Sequence, residues 1–278
     1  MKLENKPLIS VLMTAYNAEK YIGLAIESIL NQTYSNFEFI IIEDCSKDKT
    51  WEIIQKYSKK DTRIIALRNE KNLNAGGSSN KGLQICKGKY IVRMDADDWS
   101  FPERLQKQVT FMEKNYDIVC SGGTLIVCDE NLKQIGMRQY PTSNEEISKQ
   151  ILRLNPVPHP ASIWRNDAIK KTTGYPDKLG ISEDYSLTLQ ISQYGELGNL
   201  KDKLIKYRVH RKSESNSKMR YQQLITVYLS FKAQFEYKYK PTFKDQLWRI
   251  LQIITIYIIP APVKRFLFNM LVLKKRTK

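Results

Sequence analysis

The sequence predicts an α/β protein organised around a buried, mainly parallel sheet. Three observations predict it. Short β-prone runs alternate with helical periodicity through residue 114. The β-prone runs are continuously apolar rather than alternating, as strands covered on both faces are. Polar and acidic residues follow those runs, at the carboxyl ends of strands where such sheets bind their ligands.

Residues 8–13 (LISVLM) form the first strand, and residues 18–31 follow with Ile22, Ala25, Ile26, Ile29 and Leu30 on one helical face. Residues 37–42 make the second strand and 48–57 a helix; 63–67 the third strand and 77–86 a helix; 89–94 the fourth strand. A helix over 102–114 has Pro102 near its first turn, where the missing N–H has no partner to lose. The strand ends carry Thr14-Ala15-Tyr16-Asn17, Glu43-Asp44 and Asp95-Ala96-Asp97-Asp98.

The last of these crowds three carboxylates into four positions. Either water screens their repulsion, as in an acidic turn capping the next helix, or a divalent cation offsets it. Hard oxygen donors suit Mg²⁺ or Mn²⁺, which also bind substrate phosphates. Aspartyl phosphatases use Asp-x-Asp after a strand too, but normally after the first; here it follows the fourth.

The chain has 278 residues and a net charge of +16, with 42% hydrophobic and 27% charged residues. That composition is globular; the charge points to an anionic partner, a nucleic acid, a phosphorylated substrate or a membrane surface. Cys45, Cys86, Cys120 and Cys128 form no CxxC pair and no zinc spacing, so free thiols in a reducing compartment are expected. No cleavable leader pattern opens the sequence, and no apolar run reaches the roughly 18–20 residues of a spanning helix. A cytoplasmic protein is expected.

Four stretches in order, "PLISVLMTAYNAEKYIGLAIESILNQTYSNFEFIIIEDCSKDKT", "NKGLQICKGKYIVRMDADDWSFPERL", "HPASIWRNDAI" and "GISEDYSLTLQIS", make the chain resemble a family 2 glycosyltransferase of the GT-A fold from about residue 7 to about residue 215. The resemblance implies a Rossmann-like sheet flanked by helices and an inverting, metal-dependent sugar transfer from a nucleotide-sugar, a UDP-sugar, to a glycan or lipid-linked acceptor in surface polysaccharide synthesis. It implies donor contacts from Thr14, Tyr16, Asn17, Asp44, Asn80 and Asp95. Tyr16 would lie along the uracil face and Asp44 would accept the base's ring N–H; Glu43 stands where the family often has a second aspartate. Asp97 matches the ligand of Mn²⁺ or Mg²⁺, with Asp95 on the ribose or the metal's water shell and His210 a candidate third ligand. Asp184 of the Glu183-Asp184 pair matches the general base. Arg208, Arg211 and Lys212 are candidates to close over the diphosphate.

The resemblance fades near residue 218, dividing the chain into a catalytic domain, 1–218, and a helical, basic tail, 219–278. Helices are expected over 222–239 and 245–259, separated by Pro241. Phe266, Leu267, Phe268, Leu271 and Leu273 beside Lys264, Arg265, Lys274, Lys275 and Arg276 suit a helix lying on an anionic membrane, on the inner face of the cell membrane. The sequence leaves the oligomeric state open. Two other readings compete: a sugar-nucleotide nucleotidyltransferase, which normally has a Gly-rich loop where Thr14-Ala15-Tyr16-Asn17 stands, and a basic nucleic-acid-binding module, whose phosphates the strand-end acids would repel. No nucleic-acid partner is expected.

Overall fold

Strand–helix units open the chain: β1 (Ile9–Ala15), α1 (Ile22–Leu30), β2 (Phe37–Glu43), α2 (Thr50–Ser58), β3 (Ile64–Arg68), α3 (Asn74–Ile85) and β4 (Tyr90–Asp95), then a two-residue β5 (Trp99–Ser100) and α4 (Arg104–Lys114). The computed structural model describes residues 6–176, 179–209, 219–259 and 263. β1 pairs in parallel with β2 and β4, and β2 with β3. Successive side chains of a strand point to opposite faces, and both faces here are covered. Val11, Met13, Phe39, Ile41, Val92 and Met94 pack with α1, Ile54 of α2 and Leu105, Val109 and Met112 of α4. Leu12, Ile40, Ile42 and Ile91 enter a second core. Two buried faces explain the unbroken apolar runs.

Beyond β4 the sheet becomes mixed. The chain continues through β6 (Ile118–Cys128), β7 (Gln134–Arg138), α5 (Asn144–Ser148), β8 (Ile163–Arg165), α6 (Asn166–Ile169), α7 (Glu183–Ile191) and β9 (Glu196–Arg208). The strand order is β3-β2-β1-β4-β8-β6-β9-β5, with β7 added to β6. β8 is antiparallel to β4 and β6, β9 is parallel to β6, and β5 is antiparallel to β9. The β6–β9 pairing shifts register around Gly122 and Thr124, and a bulge breaks the β6–β7 pairing at Val127 and Cys128. The architecture is the expected one, a central α/β sheet flanked by helices.

Helix ends moved where local hydrogen bonds compete. α1 starts at Ile22, not at residue 18, after a turn in which the Ala18 carbonyl accepts from both Tyr21 N and Ile22 N. α3 starts earlier than expected, at Asn74 in the left-handed region (φ 61°). Two further helices, α8 (Met219–Glu236) and α9 (Phe243–Ile258), follow. α8 buries Leu229 and Ala233 in the second core. α9 opens on a reciprocal cap between Thr242 and Asp245, one residue after Pro241. No described helix is long and apolar enough to cross a membrane. The four cysteines are unpaired.

Candidate catalytic site

β4 delivers Asp95 opposite Thr14 of β1 across the parallel ladder. Arg93, buried in the same strand, offsets the first carboxylate: Nη2 donates to Asp95 Oδ1 (2.9 Å) and to Thr14 Oγ1 (2.9 Å), while Nη1 donates to the Met94 carbonyl. The chain then turns, and Asp98 is 1% exposed. Its Oδ1 accepts from Arg208 N (2.8 Å), and its Oδ2 is buried without a hydrogen-bond partner. Burial, then the charges of Asp97 and Asp95, push the Asp98 carboxyl well above the usual carboxylate range. Arg104, fully buried at the start of α4, is pulled down to about 9 by burial, against the opposing charges of Asp98 and Asp95. Asp95, Asp97 and Asp98 each bring one oxygen within 4.8 Å of the others. Three hard donors, one of them on a residue with an orphaned buried oxygen, form a set that fits Mn²⁺ or Mg²⁺.

Along the same edge, Tyr16 is 48% exposed after β1. Asn17, in the left-handed region (φ 48°), stitches the loops after β1 and β2 together. Its N–H donates to Ser46 Oγ (2.9 Å) and its Oδ1 accepts from Lys47 N (2.9 Å). Asp44 is buried, with Oδ1 accepting from Asn69 Nδ2 and Leu73 N (both 2.8 Å). Glu43 is fully buried against Arg68 (2.8 Å). Thr14, Tyr16, Asn17, Asp44 and Asp95 therefore gather at one edge. Asn80, in α3, is bonded to the Tyr175 backbone: its Nδ2 donates to the carbonyl and its Oδ1 accepts from Tyr175 N (both 2.8 Å).

Glu183 and Asp184 occupy the first turn of α7, behind Ser182 in the left-handed region (φ 56°). Glu183 lies against α3, where a methyl group on Gly76 would collide with its carboxylate. Asp184 Oδ2 accepts from Asn155 Nδ2 (3.0 Å). A part-buried pair lies between this turn and the acid cluster: His159 Nε2 and the Tyr175 hydroxyl are 2.7 Å apart. Burial and the Arg93 charge pull His159 below its ordinary value, while Asp184 and Asp95 oppose them. Burial raises the Tyr175 hydroxyl, with Arg93, Asp184 and Asp95 acting on it as well. The base candidate and the acid turn thus act on one imidazole and one phenol.

Sequence reasoning passed over Arg93, Asn155, Tyr175 and the tie from Asp98 to β9. Arg93 had a visible signal, a cation inside an apolar strand; the others come together through tertiary folding alone. Arg208 is engaged within the fold: it donates from Nε to the Asp97 carbonyl (2.6 Å) and from Nη1 to the Glu130 carbonyl, and its guanidinium sits 4.4 Å from the Tyr21 ring centre. His210, Arg211 and Lys212 lie outside the described residues, as do Lys264, Arg265 and the apolar and basic residues 266–278. A surface hollow of about 720 Å³ lies elsewhere, between α5, Glu196 and Thr242.

The family model described as Glycosyl transferase family 2 matches residues 10–173. Over 230 residues the chain is 38% identical to the uncharacterized glycosyltransferase MJ1057 of Methanocaldococcus jannaschii, covering 81% of this chain and 78% of that one. Over 233 residues it is 36% identical to the O-antigen biosynthesis glycosyltransferase WbnJ of Escherichia coli, covering 80% and 87%. Among solved structures, S. aureus TarS 1-349 in complex with UDP-GlcNAc superposes with a TM-score of 0.63 at 19% identity, covering 89% of this chain and 80% of that one. The chain spans half of the longer TarS chain. At that identity the likeness is one of fold.

Proposed function

From a chain that belongs to glycosyl transferase family 2, we propose an inverting transfer of a sugar from a UDP-sugar to a hydroxyl of a glycan or lipid-linked acceptor in surface polysaccharide synthesis, at the inner face of the cell membrane. One observation carries the reading: Asp95, Asp97 and Asp98 converge beside Thr14 at the carboxyl edge of the sheet. Thr14, Tyr16, Asn17 and Asp44 bind the nucleotide, with the exposed Tyr16 ring along the uracil and Asp44 accepting the base's N–H. Asn80 supports this edge through the Tyr175 backbone.

Asp97, with Asp95 and Asp98, would hold Mn²⁺ or Mg²⁺, which would neutralise charge on the departing diphosphate. His210 is a further candidate ligand. Asp184 takes the proton of the acceptor hydroxyl as that oxygen bonds to the anomeric carbon, and the bond to the nucleoside diphosphate breaks on the opposite side. Asn155 orients the base, and Glu183 anchors the turn that carries it.

The test is a donor panel scored for nucleoside diphosphate release with Mn²⁺ or with chelator. Asp184→Asn should reduce transfer by on the order of 10²–10⁴ while donor binding persists. Asp97→Ala should abolish Mn²⁺-dependent donor binding in calorimetry. A loss under about tenfold in the first variant moves the base elsewhere, and unchanged binding in the second removes the metal assignment.

A further inference from the structure

α9 is built inside out. At 100° per residue, Phe243, Leu247, Ile250, Ile254, Tyr257 and Ile258 fall within one arc of about 100°, and all six are exposed, from 45% to 78%. The opposite stripe, Asp245, Arg249 and Ile256, is buried and two-thirds charged. Asp245 Oδ1 accepts from Arg153 Nε (2.6 Å), and Arg249 donates to Ser230 Oγ, the Ser230 carbonyl and Gln234 Oε1 (2.8–2.9 Å). A helix docked on a globular body normally turns its apolar stripe inward. This one is held by its polar stripe, with specific bonds, and offers the apolar one outward. The neighbouring α8 also exposes Tyr228 and Phe235. So continuous an apolar surface marks an interaction site.

We propose that the outward face of α9 docks the enzyme on an anionic lipid surface. Charge selects this occupant. Residues 219–278 hold twelve Lys or Arg against two acids, and one of those acids, Asp245, is bound to Arg153. Among the described residues of this segment Arg220, Lys238, Lys240 and Lys244 are exposed, and the exposed acid, Glu236, is paired with Lys232, so a second copy would bring like charge to like. Residues 260–278 hold six Lys or Arg and no acid, the same sign as those exposed cations, so charge does not favour them as the occupant. An anionic bilayer alone among the three supplies opposite charge and an apolar layer, and it suits a helix too short to span it. The inference does not depend on the transfer reaction; it adds a surface that brings the active site to acceptors anchored in lipid.

The full chain is sedimented with vesicles of phosphatidylcholine alone and of phosphatidylcholine with phosphatidylglycerol. It should pellet with the second only, and added salt should weaken the partition, each basic residue near the surface accounting for roughly fivefold at low salt. Ile250→Glu with Ile254→Glu should lower the partition at least about tenfold, with thermal midpoint and donor turnover in vesicle-free buffer unchanged. An intact chain that stays in the supernatant, or a double variant that binds as well as the intact chain, overturns the proposal. So does an intact chain that scatters light as a dimer and becomes a monomer in the double variant, because a second copy then covers the face. The lipid and salt arms need no variant, so a misfolded variant leaves them decisive. Donor turnover that fails while vesicle binding holds would count against the transfer reading alone.

Discussion

Arg93→Met removes the cation that faces the acid turn while keeping the length of the side chain. In the folded chain Arg93 is 3% exposed and reaches Asp95 and Thr14 at 2.9 Å each, as well as the Met94 carbonyl. Breaking a buried ion pair from one side costs about 3–5 kcal/mol. The Asp95 side chain is 30% exposed, so water takes up part of its charge and the lower end, about 3 kcal/mol, applies. For a chain of this size that is a fall of about 6–12 °C in thermal midpoint. Calorimetry in chelator measures it. A fixed excess of Mn²⁺ should then narrow the gap between variant and intact protein, since without the guanidinium beside Asp95 the variant binds the cation more tightly and gains more stability from it, about 1.4 kcal/mol for each tenfold in dissociation constant. Arg93→Lys, which keeps the charge but loses the planar fork, should fall between. A midpoint in chelator within about 2 °C of the intact protein's, or a gap that Mn²⁺ widens, would refute this account of the turn.

Gly88 sits where β1 and β4 meet, and a methyl group there would strike Ser10 N, the Ile9 carbonyl carbon and the Tyr90 oxygen, backbone atoms that cannot rotate away. Gly88→Ala should cost about 1–3 kcal/mol, read as a lower urea midpoint with unchanged slope; an unshifted midpoint would show that the strands separate freely there. Burial works against ionising Asp245, yet hydrogen bonds from Thr242 and the Arg153 charge hold its carboxyl below the usual carboxylate range. A depressed carboxylate stabilises the fold above its unfolded value, near 4, and loses that contribution as pH falls through the folded value. Asp245→Asn should therefore cost about 1–2 kcal/mol at pH 7, and urea unfolding should show the difference shrinking below about pH 4; a difference that grows on acidification contradicts the pairing.

The parallel half of the sheet was legible because β1, β2 and β4 are buried on both faces and, with β3, read as mostly apolar runs without strict alternation: 8–13, 37–42, 63–67 and 89–94 each lie within one or two residues of β1 to β4. The mixed half was not. β6 contains Gly122 and Gly123, β9 carries Lys201, Asp202 and Lys203 in mid-strand, and β5 is two residues long, so none has a composition that reads as a strand. The carboxylates at strand ends could be found from spacing, and Asp184 from resemblance. The ties among them could not, since Asn155 to Asp184, His159 to Tyr175 and Arg208 to Asp98 join residues that only the tertiary fold brings together. The tail helices were visible by periodicity, but periodicity does not say which face turns inward, and on α9 it is the polar one.

The strand order also sets a timetable for synthesis. Ile9 pairs with Phe37, and Phe39 with Ile64, so the parallel half can begin to assemble while the rest of the chain is still being made. Trp99, just past the acid turn, pairs with Lys206, and Asp98 is fastened by the Arg208 amide. The turn that gathers three carboxylates is therefore drawn early and locked late: Arg93 can hold Asp95 as soon as β4 forms, but until β9 emerges from the ribosome Asp98 lacks the Arg208 amide. A nascent chain halted short of residue 208 would own most of its sheet, with the acid turn fastened at Asp95 and loose at Asp98.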